Sequence, residues 1–248
     1  MCPDNNDQEL LTIRANTIFV LTDSCRILHR NNPDHAAGPR FYLARCTSGN
    51  VTRIGHDVGD SAAQAIENLV AGEPVFRHSD IAPVHLDDYH RILAAEAPVE
   101  RRNMGLTWTF PDCLDYEHPA TLVRSDTSAG DRLIARLTER GMPEAVAASG
   151  FVDVGEFWEP WCVALHGEEI ASIALTVGLK PASAEVGVTT VPEFRGRGFA
   201  AVATARWASL PAHSGRILFY STDETNVSSQ RVTQRLGLRF IGANLAIT

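Results

Sequence analysis

The sequence lacks any long uninterrupted apolar stretch. No run of about 18 uncharged apolar residues occurs, which is the length that a membrane-spanning helix needs. The opening segment MCPDNNDQEL is polar and acidic, whereas a secretory signal starts with basic residues followed by an apolar core. We therefore expect a cytoplasmic protein with no membrane partner.

The sequence also lacks the cysteine and histidine spacings that are typical of metal sites and disulfide frameworks. The cysteines are odd in number, scattered and never in a CxxC pair, so reduced thiols are expected rather than a disulfide framework or a zinc site. They are Cys2, Cys25, Cys46, Cys113 and Cys162. Three histidines of the proline-rich interval 74–119, namely His78, His85 and His90, do not have metal-ligand spacing. The sequence predicts no metal.

Excess positive charge is absent as well. Residues 1–126 contain 11 Lys and Arg against 18 Asp and Glu, while residues 127–248 contain 11 against 12. Nucleic-acid binding needs clustered cations that neutralise phosphates, so no nucleic-acid partner is expected. An acidic half attracts a cationic small molecule, although the same charge also serves simply to keep a protein soluble.

The first half of the chain has the character of a small α/β domain. Apolar and polar residues alternate on both sides of the turn SGN, which predicts paired strands at 41–46 and 51–56. The segment SAAQAIENLVAG predicts a helix with Ser61 as N-cap and Gly72 near its end. We expect residues 1–119 to form an N-terminal α/β domain that packs on the rest and contributes to a substrate site.

The second half alternates helices and strands in the order ααβββαβαβ. This order predicts an α/β (α+β) mixed sheet with helices on both faces, over a domain of residues 120–248. The predicted elements are helices 131–140 and 143–149, strands 161–165, 170–177 and 184–191, helix 198–210, strand 216–220, helix 227–236 and strand 238–246.

The stretch VPEFRGRGFA connects a predicted strand to a predicted helix. Gly196 and Gly198 allow a tight turn and close approach of the backbone to a ligand at a helix N-terminus, where N–H groups are unpaired. Arg195 and Arg197 add cations that suit phosphate oxygens. The loop predicts a pyrophosphate site, although a plain turn with solvated arginines has the same composition.

One interpretation of the loop is dinucleotide binding. Gly196, Gly198 and Ala201 satisfy the pattern G-x-G-x-x-A after a strand. That motif normally opens its domain, however, and only about 50 residues follow here, too few for the later βαβ units. We disfavour this interpretation.

The loop and a downstream segment together resemble the GNAT superfamily of N-acetyltransferases. Arg195, Gly198 and Ala200 match the pyrophosphate loop of that family, and Pro192 precedes them as it often does there. Downstream, Asn226, Ser229 and the end Leu236-Gly237-Leu238 match a second recurring pattern. The resemblance covers residues 120–248 and implies a GNAT-like catalytic domain.

The resemblance implies transfer of an acetyl group from acetyl-CoA, as cosubstrate, to an amine. The acceptor is a small-molecule or peptide amine of unknown identity, and a monomer or a homodimer is expected. The pantetheine arm would lie along the strand before the loop. The cofactor-binding residues implied are Val188, Thr190, Val191, Arg195, Gly196, Arg197, Gly198, Phe199, Ala200, Asn226 and Ser229.

The same resemblance suggests the catalytic residues. Glu185 lies where many relatives carry a glutamate that acts as general base through water, although a solvent-facing glutamate or an arginine partner also fits the sequence. Many relatives have a tyrosine general acid where this chain has Thr233, so Tyr220 and Ser229 are possible replacements. This departure leaves open a catalytically silent CoA-binding protein.

Two further features bear on the substrate site and on the sheet. Of the aromatic cluster around residues 151–161, most members suit a core, and we expect Trp158 to line the acceptor pocket. Only LRFIGANLAIT follows Gly237, enough for one strand where the family usually closes with a hairpin. We expect the N-terminal half or a second subunit to cover that edge.

Overall fold

The computed structural model describes residues 6–77 and 82–248. Contacts divide the chain into two compact units. The first comprises Met1–Trp108, Ser221–Asn226 and Phe240–Thr248, and the second comprises Thr109–Tyr220 and Val227–Arg239. The last residues of the chain are thus grouped with the N-terminal ones.

The predicted fold class is confirmed, since helices and strands alternate and the sheet is mixed. The helices are α1 (Asp7–Ile18), α2 (Asp60–Gly72), α3 (Leu86–Ala94), α4 (Ser128–Arg140), α5 (Glu144–Ala147), α6 (Phe199–Ala208) and α7 (Val227–Arg235). The strands are β1 (Phe19–Leu21), β2 (Ile27–Arg30), β3 (Phe41–Cys46), β4 (Gly49–Ile54), β5 (Arg102–Thr109), β6 (Thr121–Arg124), β7 (Cys162–His166), β8 (Glu169–Lys180), β9 (Ser183–Thr190), β10 (Ile217–Asp223) and β11 (Arg239–Ile247). No helix among the described residues has the length and apolar character of a membrane span.

The predicted order ααβββαβαβ is confirmed by the succession from α4 to β11. The short strand β6, which precedes α4, is absent from that prediction. The helix α2 begins at Asp60 with Gly59 as its N-cap, so the prediction of Ser61 as N-cap is wrong. Asp60 suits the first turn because its negative charge complements the positive end of the helix dipole.

The first unit contains the strand order β4-β3-β11-β5. The predicted hairpin is confirmed, with Phe41 opposite Ile54 and Cys46 opposite Gly49. Its second strand spans Gly49–Ile54 rather than the predicted 51–56, so Gly49 and Asn50 belong to the strand and not to the turn. Its first strand pairs antiparallel with β11, from Phe41–Ile247 to Arg45–Ala243. The N-terminal hairpin therefore covers the edge of the final strand β11, which the sequence predicted would otherwise be left open.

One face of the β3–β4–β11 sheet packs against helices α2 and α3. The core there includes Phe41, Leu43, Ile66, Leu93 and Leu245, all buried. Such side chains stabilise the unit because their apolar surface leaves water, by roughly 1.5–3 kcal/mol for each fully buried large side chain.

The second unit contains the strand order β10-β9-β8-β7-β6. All its neighbours are antiparallel except β9 and β10, which run parallel with Ser183 opposite Ile217 and Val186 opposite Tyr220. A β-bulge in β8 shifts the register, so that Thr176 faces Val186 and Gly178 faces Glu185.

Helix α6 packs across β7, β8 and β9. Its sequence FAAVATARWA places small residues toward the sheet and ends with a buried tryptophan. Nε1 of Trp207 lies 3.0 Å from both the Pro160 carbonyl oxygen and Thr176 Oγ1, so the indole N–H donates hydrogen bonds to β8 and to the segment before β7. These contacts hold the helix and, with it, the N-terminus that follows the arginine-glycine loop.

A buried histidine lies beside this tryptophan. His213 is 3% exposed, and neither ring nitrogen has a hydrogen-bond partner among the described residues. Its ring centroid lies 4.1 Å from that of Trp207. Burial, together with the charge of Arg216, lowers the pKa of His213 to about 4. The folded protein therefore holds this side chain neutral at any pH well above 4.

We expect stability to fall in acid because of His213. The unfolded chain takes up this proton near pH 6.5, whereas the folded chain takes it up only near pH 4. Stabilisation is complete above pH 6.5 and is lost as the pH falls toward 4, by about 2 kcal/mol between pH 7.5 and pH 5. The free energy of unfolding, measured by urea titration at pH 7.5 and at pH 5, should fall less in His213→Phe than in the wild type. The difference between the two losses should be about 2 kcal/mol. Equal losses in both proteins would contradict the assignment.

Candidate functional site

The loop between β9 and α6 forms a turn whose conformation depends on glycine. After β9, residues Pro192–Phe194 form a short 3-10 helix, and Gly196 and Gly198 follow with φ of +75° and +93°. Gly198 is the N-cap of α6 in the left-handed conformation, which side chains other than glycine adopt at a cost. The chain thereby turns directly from the strand into the helix.

The N-terminus of α6 presents free hydrogen-bond donors. Within the described part of the chain, the backbone N–H groups from Gly198 to Ala201 have no hydrogen-bond partner, and the first bond of this end runs from the Val202 N–H to the Gly198 carbonyl. Unpaired N–H groups and the positive end of the helix dipole together attract an anion.

The two loop arginines have different surroundings. Arg195 is exposed and donates from Nε to the Thr190 carbonyl at 3.4 Å, while its terminal amino groups have no partner among the described residues. The Arg197 guanidinium lies 5.4 Å and 5.3 Å from the ring centroids of Phe194 and Phe199, and 3.3 Å from Nε2 of His166. Arg195 is thus available to a ligand, whereas Arg197 is held against aromatic rings.

Two residues far upstream in the chain lie against this loop. Nε2 of His118 is 2.9 Å from the Arg197 carbonyl oxygen, and its ring packs edge-on against Phe199 at 5.0 Å between centroids. A Cβ at Gly198 would lie 3.0 Å from Cδ2 of His118 and 3.1 Å from the Tyr116 hydroxyl. Sequence reasoning missed both residues, because they precede the loop by about 80 positions and belong to no local pattern.

The strand before the loop contains the residues expected to contact the cofactor arm. Val188 and Thr190 of β9 are half-buried, and the Val191 N–H donates to the Ala171 carbonyl at 3.0 Å. Ser172 Oγ donates to the Thr189 carbonyl at 2.9 Å and lies 3.0 Å from Thr190 Oγ1. These bonds fix the end of β9 against β8, next to the loop.

Glu185 lies inside the second unit. It is 4% exposed, so a solvent-facing strand glutamate is excluded. The Thr176 hydroxyl accepts a hydrogen bond from the indole N–H of Trp207, so Thr176 lies on the face of the sheet that α6 covers. Val186 is the cross-strand partner of Thr176 and lies on the same face. Because successive side chains alternate, Glu185 points to the face opposite α6.

Tyr220 and Ser229 are brought together. Tyr220 is paired with Val186 and thus lies on the face of α6, opposite Glu185. Its hydroxyl is 2.7 Å from Ser229 Oγ of α7. Burial raises the pKa of Tyr220 above its ordinary value, and the hydrogen bond with Ser229 offsets part of that rise. The phenol is therefore protonated at neutral pH.

Thr233 is buried in α7 and uses its hydroxyl locally. Its Oγ1 donates to the Gln230 carbonyl at 2.7 Å. A hydroxyl that donates to its own helix serves the backbone rather than a ligand. Asn226, by contrast, is exposed before α7, and its N–H donates to the Asp223 carbonyl at 3.0 Å. The Asp223 carboxylate accepts from the Thr225 N–H and hydroxyl, which lowers its pKa.

The aromatic residues of the cluster around 151–161 differ in burial. Phe157 and Trp161 are buried and meet edge-on at 5.7 Å between centroids, as expected of core residues. Trp158 between them is half-buried, and its carbonyl accepts from the Thr176 N–H at 3.3 Å. Trp158 is thus the least buried of these three residues.

Over the described residues, no group of three or more His, Cys, Asp or Glu side chains is arranged to hold a metal ion. His85 and His90 are described, whereas His78 lies outside the described residues. Cys25, Cys46, Cys113 and Cys162 are free thiols, and Cys2 also lies outside the described residues.

Comparison with known proteins bears on this site directly. Residues 161–244 match the model of the family described as GNAT acetyltransferase. The matched segment includes the loop before α6 and the helix after β10. The resemblance inferred from those two motifs is confirmed. No curated protein matches the chain.

Solved structures of GNAT-family proteins also match the chain, each at low sequence identity. A GNAT-family protein from Novosphingobium aromaticivorans is 22% identical over 60% of this chain and 66% of that chain, with a TM-score of 0.46. An acetyltransferase from the GNAT family of Colwellia psychrerythraea is 13% identical, covering 79% of this chain and 75% of that one at a TM-score of 0.45. A GCN5-related N-acetyltransferase-like protein from Streptococcus suis is 15% identical, with 85% and 84% covered and a TM-score of 0.45.

Proposed function

Because residues 161–244 match the GNAT acetyltransferase family, we propose that the protein is an acetyl-CoA-dependent N-acetyltransferase that acts on an amine. The observation that carries the proposal is the loop itself. Free N–H groups at the start of α6, beside an exposed arginine with unengaged amino groups, suit the pyrophosphate of CoA. The family match includes this loop, so the match and the loop geometry point to the same residues.

The residues that hold the cosubstrate follow from this position. The pyrophosphate lies at Gly198, Phe199, Ala200 and the Arg195 guanidinium, with Gly196 and Arg197 shaping the turn. The pantetheine arm extends along the end of β9 at Val188, Thr190 and Val191. Asn226 and Ser229 border it on the side of α7. Bound acetyl-CoA supplies a thioester whose carbonyl carbon the amine attacks.

The chemistry assigned to the protein is proton transfer at a thioester placed where the pairing of β9 with β10 ends, beyond Val186 and Tyr220, with Glu185 on one face of the sheet and Tyr220 on the other. The amine forms the new C–N bond as the C–S bond breaks, and the proton it loses passes to Glu185, directly or through water. The departing sulfur receives a hydrogen bond from Tyr220, whose raised pKa keeps it protonated. Assistance at sulfur is modest, because a thiol has a pKa near 8.5 and leaves readily as thiolate. Thr233 supports α7 and does not donate a proton.

We place the acceptor amine on the face of Glu185, with Trp158 as a wall of its pocket. The acidic N-terminal half favours a cationic acceptor. We propose residues 1–119 as an N-terminal domain and residues 120–248 as the catalytic domain. We propose a cytoplasmic monomer or homodimer that needs no metal.

Release of free CoA thiol, measured over a panel of amino acids, polyamines, aminoglycosides and peptide N-termini, tests the proposal. The expected result is amine-dependent thiol release together with acetylated product by mass spectrometry. CoA binding without turnover of any amine would instead indicate a silent CoA-binding protein. Stabilisation by NAD(P) but not by CoA in a thermal-shift assay would overturn the assignment of the loop.

The two loop arginines are expected to differ in their effect on CoA binding. Arg195→Ala removes a guanidinium that is free to bind phosphate, so the Kd for CoA should rise about tenfold and depend less on salt. Arg197→Ala removes a side chain held against Phe194 and Phe199, and should change the Kd less. Titration calorimetry at two salt concentrations measures both. A larger loss for Arg197→Ala would contradict this division of roles.

A further inference from the structure

We propose that His118 is a positioning residue for phosphate binding, because it holds the peptide between Arg197 and Gly198 in the orientation that aims the Gly198 N–H at the cofactor. This inference rests on the proposed function, since it concerns the same anion site. It concerns a residue outside the loop and outside the segment that matches the family, 161–244.

The hydrogen bonds of His118 determine its tautomer. The Ala120 N–H donates to Nδ1 at 3.2 Å, so that nitrogen carries a lone pair. The hydrogen of the neutral ring is then on Nε2, which donates to the Arg197 carbonyl oxygen at 2.9 Å. The ring thus connects its own segment of chain to one carbonyl group of the loop.

That carbonyl belongs to the peptide whose N–H is the first free donor of the anion site. The peptide bond is trans, and in a planar trans peptide the C=O and N–H point in opposite directions. With His118 on the carbonyl side, the Gly198 N–H points away from His118. It has no partner among the described residues and is available to an anion.

Glycine at position 198 makes such a restraint necessary. A residue without Cβ adopts many backbone conformations, so the peptide before it can rotate at little cost. The missing Cβ also allows the restraint, because a Cβ there would lie 3.0 Å from the imidazole. Edge-on packing against Phe199 keeps the ring in place. The geometry is therefore that of a loop held ready before the cofactor binds.

A pair of variants separates the two hydrogen bonds of the ring. In His118→Gln, the side-chain NH2 takes the place of Nε2–H and can still donate to the Arg197 carbonyl. In His118→Asn, the side-chain oxygen takes the place of Nδ1 and can still accept from Ala120, but nothing reaches Arg197. The Kd for CoA is measured for both variants and the wild type, and kcat/KM is measured with acetyl-CoA and with acetyl-pantetheine, which lacks the pyrophosphate.

The expected result is a Kd for CoA raised about tenfold in His118→Asn and within about threefold of the wild type in His118→Gln. Both variants should use acetyl-pantetheine as the wild type does, because that substrate does not engage the loop. Wild-type affinity in His118→Asn would overturn the inference, as would an equal loss with acetyl-pantetheine. If the wild-type protein does not bind CoA, the proposed function is wrong as well. Titration of the wild type with CoA therefore separates failure of the proposed function from failure of the inference on His118 alone.

Discussion

Replacing Glu185 with glutamine is expected to lower kcat about a hundredfold near neutral pH, because a positioned general base contributes a factor of this size or more. The loss should narrow as the pH rises, since an amine with a pKa near 10.4 is increasingly deprotonated in solution and needs no base. Affinity for CoA should be unchanged. Steady-state kinetics from pH 7 to pH 10, with binding measured separately, tests all three expectations.

Glu193→Gln is the matched control for this experiment. Glu193 is exposed in the short 3-10 helix after β9, so its replacement removes the same charge without reaching the buried site. It should leave kcat and its pH profile unchanged. Full activity of Glu185→Gln with a flat pH profile would show that Glu185 is a structural residue in the sheet.

Introducing valine at Gly198 is expected to raise the Kd for CoA at least about tenfold, since a β-branched side chain resists positive φ and blocks approach to the helix N-terminus. The structure adds a second reason. The new Cβ would lie 3.0 Å from the His118 ring and 3.1 Å from the Tyr116 hydroxyl, so these side chains must move. Calorimetric titration on protein that retains its circular dichroism spectrum measures the effect.

Gly196→Val separates backbone strain from crowding. Gly196 also has a positive φ, of +75°, but a Cβ there would have nothing within 4 Å. This variant should lose stability through strain while changing the affinity for CoA less than Gly198→Val. Unchanged affinity in folded Gly198→Val would contradict the assignment of the loop.

Much of the fold could be predicted because its signals are local. Alternating residues around SGN predict the hairpin of β3 and β4, and the regular succession of patterns predicts the order from α4 to β11. The strand β6 has only four residues, TLVR, too short for a periodic pattern. The buried ion pair between Arg45 of β3 and Glu73 could not be predicted, because charged side chains are ordinarily expected at the surface.

The site was less predictable because its geometry depends on distant parts of the chain. The motif around Gly198 predicts an anion loop, yet nothing near it indicates His118. Composition likewise does not distinguish Arg195 from Arg197, whose difference comes from the rings of Phe194 and Phe199. The face that Glu185 occupies follows from its pairing with β8 at a bulge, which sequence periodicity does not reveal.

A crystal structure with bound CoA would show directly whether the loop before α6 holds the cofactor pyrophosphate. We expect phosphate oxygens about 3 Å from the backbone nitrogens of Gly198 to Ala201, with the Arg195 guanidinium on the same phosphates and His118 still bonded to the Arg197 carbonyl. Pyrophosphate bound away from these nitrogens, at a CoA concentration that saturates the protein, would contradict it.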